Sequence, residues 1–129
     1  MSERALTMKL MDGLYGVCRF NSDEAIPEWV FQSSFYSVTK TLDELSVVCS
    51  QDSIPNKIKC EKDWRILRVE GPLDFSLIGI LSSISTTLAN KGISIFAIST
   101  YDTDYILVKD KNIDMAIDAL SAEKYEIIR

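Results

Sequence analysis

Residues 71–74, in the second half of the chain, have the types and spacing to bind an anion. Gly71 and Asp74 bracket a Gly-Pro-Leu-Asp corner that precedes a predicted helix. A glycine lets the backbone approach a ligand closely, and the first turn of a helix presents unpaired N–H groups to a negative charge. Asp74 also suits the N-cap of that helix, because its side chain accepts hydrogen bonds from the first N–H groups. Both roles are open for Asp74 from the sequence.

Residues 99–104 have the complementary chemistry. Asp102 and Asp104 lie in a predicted turn, where their carboxylates would accept hydrogen bonds from an ammonium or another cation. Ser99 and Thr100 add hydroxyl groups beside them. Aspartate is also common in turns for local hydrogen-bonding reasons, so turn formation and ligand binding remain alternative roles for the two aspartates.

Several kinds of catalytic site are excluded by composition. The chain contains no histidine, which removes the Ser-His-Asp and Cys-His nucleophile pairs and the usual zinc sites. It also lacks a phosphate-binding glycine loop and a dinucleotide fingerprint. The three cysteines, Cys18, Cys49 and Cys60, are odd in number and form no C-x-x-C pair, which is typical of reduced, buried thiols in a cytoplasmic protein. We therefore expect neither an enzyme nor a cofactor or metal site.

Charge and hydropathy limit the partners. The 129 residues carry a net charge of −5, without the basic stripe that a nucleic-acid backbone requires. The longest apolar run, residues 77–81, is far shorter than a membrane span. Nearly half of the residues are hydrophobic, so one domain or two small domains with a real core are expected. We expect a cytoplasmic protein that binds neither nucleic acid nor membrane.

The second half of the chain must position both groups of polar residues. Its hydrophobic spacing predicts a strand, a helix, two strands, a helix and a strand, at residues 64–70, 75–91, 93–100, 105–109, 113–120 and 125–128. The helices have apolar stripes at helical spacing, with Leu81 and Leu88 on the first. This βαββαβ order is the ferredoxin-like split βαβ unit, with both helices on one face of an antiparallel sheet.

The first half is a fainter version of the same pattern. Strands at residues 6–10 and 14–20 are predicted to form a hairpin about Asp12-Gly13, and strands at 35–41 and 45–49 a second hairpin. A short helix is expected after Pro27, and residues 50–63 form a connection with one helical turn near residues 54–58. Residues 37–48 align without a gap with residues 97–108, which indicates two related modules in tandem.

Two segments carry a resemblance to a known family. GPLDFSLIGIL at residues 71–81 and IFAISTYDTDYILV at residues 95–108 closely resemble the tandem ACT-domain proteins, within them the small stand-alone bacterial proteins related to the arginine sensors of the mammalian nutrient-signalling pathway. The match is specific over residues 64–120. It is looser over residues 15–49, through YGVCRF, IPEW and FYSVTKTLDELSVV.

The resemblance implies ferredoxin-like βαββαβ ACT modules in tandem, an α+β fold. It divides the chain into an N-terminal ACT-like module at residues 1–62, with short helices, and a C-terminal ACT domain at residues 63–129. Such modules bind an amino acid or a similar small effector at an interface between modules or subunits, and they regulate rather than catalyse. The expected ligand-binding residues are Gly71, Leu73, Asp74, Phe75, Ser99, Thr100, Asp102, Thr103 and Asp104.

Two further points concern partners. Sheet edges need covering, so a homodimer is expected. The alternative function is a protein–protein assembly module that has no small-molecule ligand and pairs through an exposed strand.

Overall fold

The computed structural model describes residues 6–70 and 79–129 of the chain. Within these residues it contains eight β-strands and two α-helices. The strands are β1 (Thr7–Leu10), β2 (Tyr15–Phe20), β3 (Ser37–Lys40), β4 (Leu45–Ser50), β5 (Cys60–Val69), β6 (Ile95–Ser99), β7 (Asp104–Lys109) and β8 (Glu126–Ile128); the helices are α1 (Ile80–Ala89) and α2 (Ile113–Ala122).

The chain divides into two compact units. The N-terminal unit is Gly13–Trp64, and the C-terminal unit combines residues 6–12 with the described residues from Arg65 onward. Strand β5 contributes its first residues to the N-terminal unit and its last residues to the C-terminal unit. The first strand of the chain therefore belongs to the same unit as the last one.

The N-terminal unit has the strand order β3-β4-β2-β5. Its strands pair antiparallel, and short 3₁₀ turns stand where a ferredoxin-like module has helices: Glu28–Gln32 joins β2 to β3, and Gln51–Ser53 follows β4. Buried Val30, Leu45 and Val47 lie in its core. The connections at residues 21–36 and 51–59 thus each contain one short 3₁₀ turn, as is usual for this tight helix type.

The C-terminal unit has the strand order β6-β7-β5-β1-β8 and contains both helices. Strand β1 pairs antiparallel with β5 and parallel with β8, so it lies between two strands that would be neighbours in a simple ferredoxin-like sheet. The α+β, ferredoxin-like architecture predicted from the sequence is confirmed, with this strand added.

Both helices pack into one hydrophobic core of the C-terminal unit. Ile84 and Leu88 of α1, and Ala116 and Leu120 of α2, are each four residues apart and fully buried, as one face of a helix should be. The sheet side of this core is formed by alternate residues of three strands: Met8, Leu10, Leu67, Val69, Ile106 and Val108. The helical stripe predicted on residues 113–120 is confirmed, whereas Leu81 is only partly buried.

The predicted hairpin between the first two strands is wrong. Strand β1 pairs with the end of β5, for example Leu10 with Leu67, whereas β2 pairs with the beginning of β5, for example Cys18 with Cys60. Gly13 has the positive φ of +87° that the turn signal predicted. The turn forms, but β1 and β2 each pair with β5, which lies much farther along the chain, rather than with each other.

The first helix also differs from its predicted extent. It begins at Ile80, and Gly79 before it has a left-handed φ of +83°. The prediction that Gly79 lies inside the helix is therefore wrong. The predicted stop is confirmed, because Gly92 follows the helix at φ +73° and Ile93 N–H donates to the Leu88 carbonyl. Asp74, the expected N-cap, lies outside the described residues.

The two hairpins of the inferred repeat are structurally equivalent. Lys40 faces Leu45 across the β3–β4 pair, and Ser99 faces Asp104 across the β6–β7 pair, each with four residues between them. These equivalences place the gapless sequence alignment one residue out of step. The local hydrophobic pattern detected the repeat, because three successive buried residues of β4 correspond to three of β7.

Candidate functional site

The predicted polar residues 99–104 form the tip of the β6–β7 hairpin. Ser99 and Asp104 are the last directly opposed pair of the two strands. The Ser99 hydroxyl donates a hydrogen bond of 2.6 Å to Oδ1 of Asp104, while Asp102 and Tyr101 are exposed in the turn beyond them. The Asp104 carboxylate keeps acceptor capacity, because an ionised carboxylate has about four lone-pair sites.

Thr100 and Thr103 close the turn itself. The Thr100 N–H donates to the Thr103 carbonyl at 2.8 Å, and the Thr100 hydroxyl donates to the same oxygen at 3.0 Å. In return, the Thr103 N–H donates to the Thr100 hydroxyl at 3.3 Å. A threonine at this position thus satisfies the turn's backbone groups locally and fixes the direction of the side chains at the tip.

Thr103 joins the hairpin tip to strand β5. Its side chain is buried, and its hydroxyl donates a 2.5 Å hydrogen bond to the carbonyl of Val69, the last residue of β5. The tip of the hairpin is therefore held beside the end of the strand that leads to residues 71–75. Sequence reasoning alone could not establish this neighbourhood, because it depends on the pairing of β7 with β5.

Four of the predicted site residues, Gly71, Leu73, Asp74 and Phe75, lie outside the described residues. The other five, Ser99, Thr100, Asp102, Thr103 and Asp104, are brought together at the hairpin tip. Of these five, Thr103 faces the protein interior and makes its contact with Val69, so its role is to position the tip.

Glu70 was not among the predicted site residues. It follows Val69 directly, and its Oε2 atom is shielded from solvent, has no hydrogen-bond partner among residues 6–70 and 79–129, and forms an ion pair of 3.7 Å with Nε of Arg68. Its N–H donates to the Thr7 carbonyl at 2.8 Å, which fixes its backbone. The only signal in the sequence was its place as the last residue of a predicted strand.

The equivalent hairpin of the N-terminal unit provides an internal comparison. Thr41 and Glu44 make the same turn, with a 2.9 Å bond from the Thr41 N–H to the Glu44 carbonyl. The positions of Ser99 and Asp104 are taken there by Lys40, which donates to the Ser22 carbonyl, and by buried Leu45. The turn is shared by both hairpins, whereas the hydroxyl–carboxylate pair belongs to the C-terminal hairpin.

The described ranges were also compared with the requirements of a metal site and of a membrane span. Residues 6–70 and 79–129 contain no group of three histidine, cysteine, aspartate or glutamate side chains placed to hold a metal ion. None of the helices described there is long and apolar enough to cross a membrane.

Comparison with known proteins agrees with this architecture. The family model for the ACT domain matches residues 59–122, and a second model, described only as an N-terminal domain, matches residues 13–57. A crystal structure of protein Atu0741 from Agobacterium tumefaciens is 34% identical, with 98% of this chain and 94% of that chain covered and a TM-score of 0.91. The chain belongs to the ACT-domain family.

Two curated proteins also match part of the chain. The bovine protein named cytosolic arginine sensor for mTORC1 subunit 1 is 26% identical over 106 residues, which are 74% of this chain and 32% of that protein. The human protein of the same name is 40% identical over 58 residues, or 44% of this chain and 18% of that protein. The chain thus spans about a third or less of these curated relatives.

A more distant likeness concerns the fold alone. The regulatory subunit of aspartate kinase from Thermus thermophilus, in a ligand-free form, is 12% identical with a TM-score of 0.57, over 84% of this chain and 90% of that one. This chain therefore shares the fold of that regulatory subunit.

Proposed function

We propose that this ACT protein is a non-catalytic regulatory sensor that binds a free amino acid, or a similar small effector, at the tip of the β6–β7 hairpin. The observation that carries the proposal is the Ser99–Asp104 pair, which Thr103 anchors beside the end of β5. A preorganised carboxylate on rigid strands is the kind of group that an α-ammonium needs.

The carboxylate of the ligand would be bound by residues 71–75. An amino acid is a zwitterion, so its carboxylate needs N–H donors while its ammonium needs acceptors. Gly71, Leu73, Asp74 and Phe75 are the proposed carboxylate side, on the strength of the glycine corner in the sequence. Ser99, Thr100, Asp102 and Asp104 are the proposed ammonium side. This division supports an effector that carries both charges.

The first experiment is thermal unfolding of the purified protein with each of the twenty L-amino acids at millimolar concentration. A ligand at about 100 times its dissociation constant adds roughly 2.7 kcal/mol to the free energy of unfolding, which is several degrees in Tm for a chain of this size. A shift with one or a few amino acids is expected. No shift with any of them would contradict the amino-acid proposal and favour the assembly module.

The effector found in that screen then permits a matched comparison. Asp104→Asn and Asp102→Asn each remove one charge from the proposed site, and we expect at least a tenfold loss of affinity for Asp104→Asn in calorimetric titration. Asp43→Asn is the control, since Asp43 corresponds to Asp102 in the other hairpin. Equal affinities for all three variants would place the site elsewhere.

Oligomeric state and location complete the proposal. We propose a homodimer, supported by the strands β3 and β6, which each end a row of paired strands in the described ranges.

We also propose a cytoplasmic location, supported by the free Cys18, Cys49 and Cys60 and by the name of the bovine relative. Immunodetection in fractionated cells tests the location. The modules at residues 1–62 and 63–129 remain the proposed division into ACT-like halves.

A further inference from the structure

The three cysteines of the chain meet in the N-terminal unit. Cys18 lies on β2, Cys49 on β4 and Cys60 at the first residue of β5. Cys18 and Cys60 are direct partners across the antiparallel β2–β5 pair, and Cys49 is the partner of Gly16 across the β2–β4 pair. Because Gly16 and Cys18 are two residues apart on one strand, Cys49, which lies opposite Gly16, is on the same face of the sheet as Cys18, and both belong to one buried cluster.

The Cys18 and Cys60 side chains lie in the same part of this unit: Cys18 is in its buried hydrophobic cluster, and Cys60 packs against that cluster. Glycine is required at position 16 beside them, since a Cβ there would lie 2.5 Å from Cδ1 of Ile54 and 3.6 Å from Sγ of Cys60. The three thiols differ in access: Cys18 and Cys49 are buried, whereas Cys60 is partly exposed.

This geometry fits a cross-strand disulfide. Directly opposed residues of an antiparallel pair have Cα atoms about 4.5 to 5.5 Å apart, within the usual range of about 4.4 to 6.8 Å for a disulfide. We propose that Cys18 and Cys60 are a redox-modification site, at which a hydroperoxide converts the thiol pair into a reversible intramolecular disulfide.

The reaction has two balanced steps. The Cys60 thiolate attacks the terminal oxygen of the hydroperoxide, which breaks the O–O bond, gives a sulfenic acid and releases an alcohol or water after protonation. The Cys18 sulfur then attacks the Cys60 sulfur; the S–O bond breaks, the Cys18 proton leaves with the hydroxide as water, and the S–S bond forms. The two cysteines are oxidised by two electrons, and the peroxide is reduced by two.

The thiol environments set the order of these steps. Burial, followed by the neighbouring Cys60 and Cys49, raises the pKa of Cys18 to about 12; burial also raises the pKa of Cys49, to about 11. Both thiols are therefore protonated and shielded, which leaves partly exposed Cys60 as the group that meets the oxidant.

The test uses the whole protein, treated with hydrogen peroxide and quenched with a thiol-alkylating reagent. Before alkylation, the intact mass should be lower by two hydrogens per chain, and reduction with a phosphine should reverse this loss. Trypsin leaves the three cysteines in three different peptides, because Arg19, Lys40 and Lys59 separate them. The expected crosslink joins the peptide containing Cys18 to that containing Cys60. The Tm of the oxidised chain should rise, because the crosslink reduces the conformational entropy of the unfolded chain.

Three variants make the assignment specific. Cys49→Ser is the matched control and should still lose two hydrogens, whereas Cys18→Ser and Cys60→Ser should not. If a serine variant fails to fold, the peptide map of the wild-type chain still decides the pairing. A Cys18–Cys49 or Cys49–Cys60 crosslink, a crosslink between two chains, or alkylation of all three thiols after peroxide treatment would each overturn the proposal.

Discussion

The hydroxyl of Thr103 is the group that fixes the hairpin tip to strand β5, and its loss should be measurable. Thr103→Val keeps the shape of the side chain but leaves the Val69 carbonyl without this donor. An unsatisfied buried acceptor costs about 1–3 kcal/mol, so the free energy of unfolding from urea titration should fall by that amount. Thr103→Ser, which retains the hydroxyl, should lose less; equal losses would mean that the methyl group rather than the hydrogen bond matters.

Cys18 gives the stability a dependence on alkaline pH. Burial, followed by the neighbouring thiols, raises the pKa of Cys18 in the folded chain from 9.0 to about 12. Between these values the unfolded chain releases a proton that the folded chain keeps, so the free energy of unfolding decreases as pH rises. The contribution is fully present below pH 9 and is lost as pH rises to about 12.

The measurement is a comparison of wild type with Cys18→Ala under reducing conditions. Urea titrations at several values between about pH 8 and pH 11 should show the wild type losing a few kcal/mol more than the variant over this interval, since each unit of pKa difference is worth about 1.4 kcal/mol. Parallel curves would show that Cys18 has the same pKa in both states.

Helix α1 shows why element boundaries decide which substitutions matter. Leu88 is fully buried against the sheet, whereas Leu81, the second residue of the helix, is only partly buried. Leu88→Ala should cost about 2–5 kcal/mol through the cavity that it leaves. Leu81→Ala should cost clearly less, and thermal unfolding of the two variants provides the comparison. Equal costs would require α1 to bury both positions equally.

The helix and strand order was predictable because it depends on local pattern. Apolar residues at helical spacing located α2, β-rich composition located β3, β4, β6 and β7, and alternation located β1 and β5. The start of α1 was not predictable, because a run of apolar residues continues through Gly79 and only the backbone conformation of that residue, at φ +83°, marks the boundary. The pairing of β1 escaped for another reason: its partners, β5 and β8, lie far along the chain.

The candidate site also has a part that local sequence predicts and a part that depends on long-range contacts. Ser99 and Asp104 could be grouped from the sequence, because a hairpin brings them together locally. The position of the tip beside Val69 and Glu70 could not be, because it depends on a long-range strand neighbour and on one buried hydroxyl. Sequence similarity between the two hairpins located the repeat, but only the opposed pairs Lys40–Leu45 and Ser99–Asp104 show which residues correspond.

For the molecule as a whole, the proposed homodimer is tested by mass in solution. Sedimentation equilibrium over a wide concentration range should give twice the 14.6 kDa of one chain. The measurement should be repeated with peroxide-treated protein under non-reducing conditions, since the proposed disulfide lies within one chain and should leave the mass unchanged. A single-chain mass at every concentration would contradict the dimer.

The membership of β1 in the C-terminal unit has a consequence for how the chain emerges from the ribosome. The N-terminal unit is one continuous stretch, Gly13–Trp64, so it can fold as soon as that stretch is out. Strand β1 is synthesised earlier, yet Thr7 pairs with Glu126, near the end of the chain. At roughly 5–20 residues per second, the interval between synthesis of Thr7 and of Glu126 is about 6 to 24 seconds, during which one edge of β1 is without its partner. Of the described strands, β1 is therefore translated first but is among the last to have both of its neighbouring strands in place.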